Sequence, residues 1–152
     1  MSAKRRQSYE KAGVTVTFDS DLCIHAGECL RRLPNVFDRR VPRWIRPENA
    51  SGSEVMDAVD RCPSGALHAT STDGATEVAD QPVTIRITAR GQIEVRGAVT
   101  VLDHERTAVR ADVRLTLCRC GQSGNKPFCD GSHRVVGFDD PGTPLESAGR
   151  AP

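Results

Sequence analysis

The sequence predicts an α+β chain built from two small modules, and three observations carry this reading. The apolar pattern mixes helix and strand periods up to about residue 72, and only strand-like alternation follows beyond residue 82. The six cysteines fall into two groups with unlike spacings, Cys23, Cys29 and Cys62 against Cys118, Cys120 and Cys129. Between them, residues 70–82 are mostly small and polar and read as a linker. The modules are therefore placed at 12–72 and 82–138, with flexible tails at 1–11 and 139–152.

In the first module, Val14, Val16 and Phe18 alternate with Thr15 and Thr17, which predicts a strand with one buried face. Asp19 to Gly27 reads as a loop holding Cys23 and His25. A short helix is expected from Glu28 to Leu33, stopped by Pro34. Val41 to Arg46 reads as extended. Ser51 and Glu54 have capping-box spacing, with Val55, Val59 and Cys62 following at i, i+4 and i+7. This puts the Cys62 thiol on the buried face at the end of a second helix, closed by Pro63 and Gly65. In the second module, four short runs alternate: Val83–Ile87, Ile93–Val95, Val99–Val101 and Val113–Leu117. Turns are expected at Arg90–Gly91 and at Asp103 to Thr107, and the last run leads directly into Cys118.

Composition narrows the function classes. Only 38% of residues are hydrophobic and 4% aromatic, too few for two deep cores of this size. Domains so small commonly need a metal, a disulfide or a partner. A formal net charge of +1 gives no field for nucleic acid or an anionic membrane. No apolar run is long enough for a membrane span. The basic start, MSAKRRQSYEK, is followed by no apolar stretch and does not read as a secretory signal. The reading is a cytoplasmic protein whose cysteines bind metal rather than form disulfides. No nucleophile–base pair, phosphate loop or aromatic stacking surface is evident.

Cys118, Cys120, Cys129 and His133 form C-x-C-x8-C-x3-H. Residues two apart in an extended segment point the same way, so Cys118 and Cys120 can share one metal. A turn or helix brings Cys129 and His133 to one face. Gly121, Ser123, Gly124, Asn125 and Pro127 supply a loop able to wrap a cluster and offer it backbone N–H groups. Three thiolates and an imidazole suit an iron–sulfur cluster with mixed ligation, and they also suit structural zinc. The string CRCGQSGNKPFCDGSH, residues 118–133, closely resembles the CDGSH family. That resemblance implies a [2Fe-2S] cluster, with Cys118 and Cys120 on an inner iron and Cys129 and His133 on an outer, more exposed one. It further implies a homodimer built through the β strands, turn roles for Asp130 and Ser132, and tuning of the cluster by Lys126.

Cys23, Cys29 and Cys62-Pro63 resemble the bacterial ferredoxin run, in which another cysteine falls where this chain has Ala26. Three thiolates suffice for a [3Fe-4S] cluster, or for a [4Fe-4S] cluster with one outside ligand. His25 is the candidate fourth ligand, a hydrogen bond to cluster sulfide being its other role. Buried cysteines without metal are the plainer reading of this set. The strings FDSDLCIHAGEC, LPNVFD, PRWIRPENAS and CPSGAL resemble the divergent 4Fe-4S mono-cluster ferredoxins over residues 12–72. The resemblance implies a ferredoxin-like α+β fold.

Arg31, Arg32, Arg39, Arg40, Arg43 and Arg46 crowd one stretch, as a docking patch for an acidic redox partner or as a solvated face. His68 and His104 read as surface or strand-end residues without companions. The function expected is electron transfer between partner proteins by a non-enzymatic carrier of two unlike clusters. Its rivals are a redox or iron–sulfur sensor or cluster donor, and a structural zinc protein.

Overall fold

The structure, a computed structural model, describes residues 6–11 and 13–143. Two antiparallel three-stranded sheets dominate it, with few helices. In the first sheet the order is β1 (Arg6–Lys11), β2 (Val14–Asp19) and β3 (Leu67–Ser71). Helices α1 (Glu28–Arg32) and α2 (Gly52–Asp60) lie between β2 and β3 in the chain. The second sheet follows, with β4 (Thr84–Ile87), β5 (Ile93–Leu102) and β6 (Ala108–Leu117), and α3 (Ser132–Val135) closes the described chain.

Strand β2 forms as its alternation requires. Val14, Val16 and Phe18 turn inward, and α2 lays Val55, Ala58 and Val59 against them. The Ser51 hydroxyl accepts from the Glu54 backbone, and the Glu54 carboxylate accepts from the Ser51 N–H at 2.9 Å, a complete capping box. Trp44 meets Phe18 edge to face, with ring centroids 4.8 Å apart.

Several segments depart from the sequence reading. Arg6–Lys11, assigned to a flexible arm, is strand β1, paired along β2 from Arg6↔Asp19 to Lys11↔Val14. It is an outer strand with mostly exposed side chains, so it carries no apolar alternation. Residues 1–5 of that arm lie outside the described residues. Thr70 and Ser71, assigned to the linker, complete β3 by pairing with Thr15 and Val14. Val41 to Arg46 is not a strand; one bridge joins Phe37 to Ile45. The runs at Ile93–Val95 and Val99–Val101 are one strand, β5. A register shift between Arg96 and Val99, at Gly97 with φ 121°, interrupts its alternation. Asp139 and Asp140, assigned to a flexible tail, are held by Arg90 and Arg119. Residues 144–152 lie outside the described residues.

The modules do not build separate cores. Val95, Leu115 and Phe128 of the second join the same buried cluster as Val16, Phe37 and Val59 of the first. That answers the shortage of apolar residues: one core is pooled across both. At the seam Gly65 has φ +69°, and a Cβ there would sit 2.3 Å from the Arg114 carbonyl oxygen. Only glycine allows both that backbone conformation and that approach.

Candidate metal centres

The C-terminal site grows out of β6. Leu117 bridges to Phe128, the Cys118 N–H donates to the Pro127 carbonyl at 2.8 Å, and the Cys129 N–H to the Thr116 carbonyl at 3.0 Å. The chain thus loops out after Cys118 and returns with Cys129 beside it. Ser123 fastens the loop, its buried hydroxyl donating to the Phe128 carbonyl at 2.6 Å and accepting from the Asn125 N–H at 3.0 Å. The Asp130 carboxylate accepts from the Gly124 N–H at 2.8 Å and from the Ser132 N–H and hydroxyl. The Ser132 hydroxyl, more than any other contact, holds the Asp130 carboxyl below its usual range.

The four candidate ligands meet as two pairs. The Cys118 and Cys120 sulfurs are 3.9 Å apart, and the Cys129 sulfur lies 3.5 Å from His133 Nδ1. Backbone N–H groups point at sulfur from Gln122 to Cys120 (3.4 Å) and from Gly131 to Cys129 (3.3 Å). Burial works to raise the Cys118 thiol, but N–H groups of Ser123, Gly121 and Gln122 and the Cys120 side chain outweigh it, so the thiol is lowered. Burial raises Cys129 against the opposing Gly131 N–H, and burial with Arg134 lowers His133. A lowered imidazole is neutral near pH 7, the form that binds metal.

The two pairs differ in cover within the single chain. Cys129 and His133, expected on the exposed side, are 3% and 5% exposed, whereas Cys118 and Cys120 are only partly covered. The first module comes close to this loop: Arg134 of α3 reaches across to the Ile24 carbonyl, and Asn125 donates to the Asp21 carbonyl at 2.9 Å. Lys126 is exposed.

In the N-terminal site, Cys23, Cys29 and Cys62 line one cavity of about 80 Å³ with His25 and Ala26. Phe18, Leu30 and Trp44 make its wall apolar. Cys62 sits just past α2, its sulfur 3.7 Å from the Ser64 hydroxyl. His25 adopts a left-handed backbone, φ 56°, with Nδ1 3.9 Å from the Cys23 sulfur and 3.3 Å from an Arg39 nitrogen. Burial pushes the Cys29 thiol up to about 11, and nearby Cys62 adds to the rise. Burial also raises Cys23, with Cys62 adding to the rise against the pull of the His25 backbone, Arg39 and Arg134. The raised thiols of Cys23 and Cys29 beside an apolar wall suit a multiply charged metal centre, which would displace their protons. The gap at Ala26 faces the same space, so three thiolates and one open position fit an iron–sulfur cube lacking one protein ligand. Among the described residues, no three Cys, His, Asp or Glu side chains close around a single ion.

The arginine stretch is mostly paired: Arg31 with Glu28, Arg32 with Asp57, Arg40 and Arg46 with Asp38, Arg43 with Glu48. Arg39 lies over the Trp44 ring. His104 is exposed, as expected, but has Glu105 as a companion, 3.9 Å from its Nε2. His68, expected to have no companions, is held between Glu77 and Asp112, the latter at 3.1 Å from Nε2. Sequence reasoning also passed over Arg114. It is 1% exposed and donates to the carbonyls of Val59 and Cys62 at 2.7 Å each, to Leu67 at 3.2 Å, and to Glu77. The alternation of Val113, Leu115 and Leu117 put Arg114 on the opposite face of β6, so the sequence carried no sign of its burial.

The family matches make this small β-rich chain, with its two cysteine-lined centres, an iron–sulfur protein. Residues 9–72 match the family described as divergent 4Fe-4S mono-cluster, and residues 90–134 match the iron-binding zinc finger of CDGSH type. The uncharacterized protein YjdI of Escherichia coli strain K12 is 34% identical over 59 residues, covering 39% of this chain and 78% of that protein. A ferredoxin of Moorella thermoacetica is 38% identical over 58 residues, covering 34% of this chain and 92% of its own. The chain belongs to the divergent 4Fe-4S mono-cluster family, with a CDGSH-type iron-binding module fused behind it. No helix among the described residues is long and apolar enough to cross a membrane.

Proposed function

We propose that this protein is an electron carrier with two unlike iron–sulfur centres. Cys118, Cys120, Cys129 and His133 hold a [2Fe-2S] cluster. Cys23, Cys29 and Cys62 hold a [3Fe-4S] cluster, or a [4Fe-4S] cluster with His25 or an outside ligand at the fourth iron. The observation that carries this reading is the division of the C-terminal ligands into two close pairs, each with a backbone N–H aimed at sulfur. Two pairs suit two irons, whereas structural zinc draws four ligands around one ion. Bound clusters of these kinds take up and release single electrons. The chain's own residues supply donor atoms, hydrogen bonds to sulfur and a dry wall of Phe18, Leu30 and Trp44.

Partner proteins of matching charge would exchange these electrons, in a reducing compartment such as the cytoplasm where the six free thiols persist. Two copies would pair through the outer strand β4, where Ile85 and Ile87 are 68% and 41% exposed.

The test is electron paramagnetic resonance of anaerobically purified protein, as isolated and after dithionite, with iron and acid-labile sulfide counted. The expected result is two distinct signals and about five or six irons per chain. Zinc without labile sulfide overturns the reading.

A further inference from the structure

Two arginines of the second module reach into the ligand-bearing segments of the first, at opposite ends of its cysteine set. Arg134 donates to the Ile24 carbonyl, between Cys23 and His25. Arg114 donates to the Cys62 carbonyl. We propose that Arg134 and Arg114 are positioning residues that brace the N-terminal cysteine set, so that the two metal centres hold their metal interdependently. The inference rests on the proposed function above.

The geometry makes the brace specific. Ile24 is 1% exposed, so its carbonyl has little access to water and depends on the guanidinium that meets it. Arg134 follows His133 directly, and Gly131 lies close enough that a Cβ there would sit 3.7 Å from the Ile24 oxygen. A shift of the Cys129–His133 turn is therefore passed to the Cys23–His25 loop by one hydrogen bond. Asn125 ties the intervening C-terminal loop to Asp21 in the same way. On the other side, Gly65 packs against the β6 backbone at Arg114, so the Cys62–Gly65 turn cannot move without β6. The N-terminal loop, tied internally by Leu22 to Asp19 and by Arg31 to Ala26, leads into a weakly anchored helix. Its α1 is five residues long, starts at Gly27 without a side-chain cap, and buries none of its residues fully.

Because Arg134 is an exposed residue on a four-residue helix, Arg134→Ala removes the brace without cutting into the core. The experiment measures iron release from anaerobic, cluster-loaded protein to a ferrous chelator, with each centre followed by its own paramagnetic signal. Amide hydrogen exchange across residues 22–27 is followed in the metal-free protein. Expected in Arg134→Ala is about tenfold faster release from the N-terminal centre, the usual scale for losing a group that orients a metal ligand, with faster exchange at residues 22–27. Arg134→Lys, which keeps a charge and a donor, should recover part of the loss. Emptying the C-terminal centre with Cys118→Ser and Cys120→Ser should speed N-terminal release in the same direction. The comparison is His104→Ala, an exposed residue beside Glu105 in the turn between β5 and β6, at the other end of β6 from Cys118, which should release at the wild-type rate. Equal release and exchange in Arg134→Ala and wild type overturn the brace while leaving the two-cluster reading intact. Wild-type protein that binds no iron and no sulfide overturns both.

Discussion

The guanidinium of Arg114, on β6 of the C-terminal module, donates to the carbonyl oxygen of Cys62, a candidate metal ligand of the N-terminal module, at 2.7 Å. The same side chain takes the carbonyls of Val59 and Leu67 and pairs with Glu77. A buried cation so placed carries a clear expectation. Arg114→Met takes a donor from the carbonyls of Val59, Cys62 and Leu67 and leaves Glu77 with His68 alone, at about 3–5 kcal/mol. Urea denaturation should show a lower midpoint, with both modules still unfolding in one transition. Two separate transitions in the wild-type protein would count against the shared core.

Gly65 and Gly74 offer a controlled comparison. Both have positive φ, +69° and +92°, but a Cβ at Gly74 meets nothing within 4 Å while one at Gly65 strikes the Arg114 oxygen. Gly74→Ala should cost only the left-handed strain, about 1–2 kcal/mol. Gly65→Ala should cost more and should also loosen the contact between modules, seen as faster amide exchange along β6. Equal destabilisation by the two changes would show that the seam tolerates a methyl group.

His68 makes stability depend on pH. Burial works to lower its pKa, but hydrogen bonds to Asp112 and Glu77 and their charges prevail and raise it to about 9. Arg110 shares Asp112, Arg114 shares Glu77, and Arg6 lines the same cavity, so two acids and nearby cations surround one imidazole. A raised folded-state pKa stabilises the fold fully below the unfolded value near 6.5. The gain is lost as pH climbs through 9. The contribution is at most about 3 kcal/mol. The urea midpoint should fall between pH 6.5 and 9, and His68→Gln should flatten that fall. A wild-type midpoint constant over this range rejects the assignment.

Ala26 lines the cavity with Cys23, Cys29 and Cys62 and offers it no donor atom. Ala26→Cys should complete a four-thiolate set. Any oxidised three-iron signal should fade, and a reduced four-iron signal should appear with dithionite. His25→Ala tests the imidazole separately: loss of a four-iron cluster would place it at the fourth iron. An unchanged spectrum in Ala26→Cys would mean that the loop does not present residue 26 to the metal.

Much of the chemistry was legible because it is local. Cys118 to His133 lie within one short motif, and the Ser51–Glu54 box and the alternation of β2 are written in adjacent residues. What was not legible is long-range. β1 escaped because an outer strand with exposed side chains needs no apolar alternation. β5 was divided in two because the Gly97 irregularity breaks the alternation. The seam left almost no local trace. Arg114 looks like any strand arginine until Val59, Cys62 and Leu67 are brought to it, and His68 acquires its acids only when β3 meets β6. The contact between the C-terminal loop and the first module was hidden for the same reason: Ile24 and Arg134 are far apart in the chain.

The braces also impose an order in time. Synthesis delivers the N-terminal cysteines first, yet Arg114 lies 52 residues after Cys62, and Arg134 lies 110 residues after Ile24. A nascent chain that has exposed Cys23, Cys29 and Cys62 still lacks both supports while the rest of the protein is inside the ribosome. Metal inserted at that stage would sit in an unfinished loop and be readily lost. With the proposed braces, durable loading of the first centre would wait for the last segment of the second module to be made.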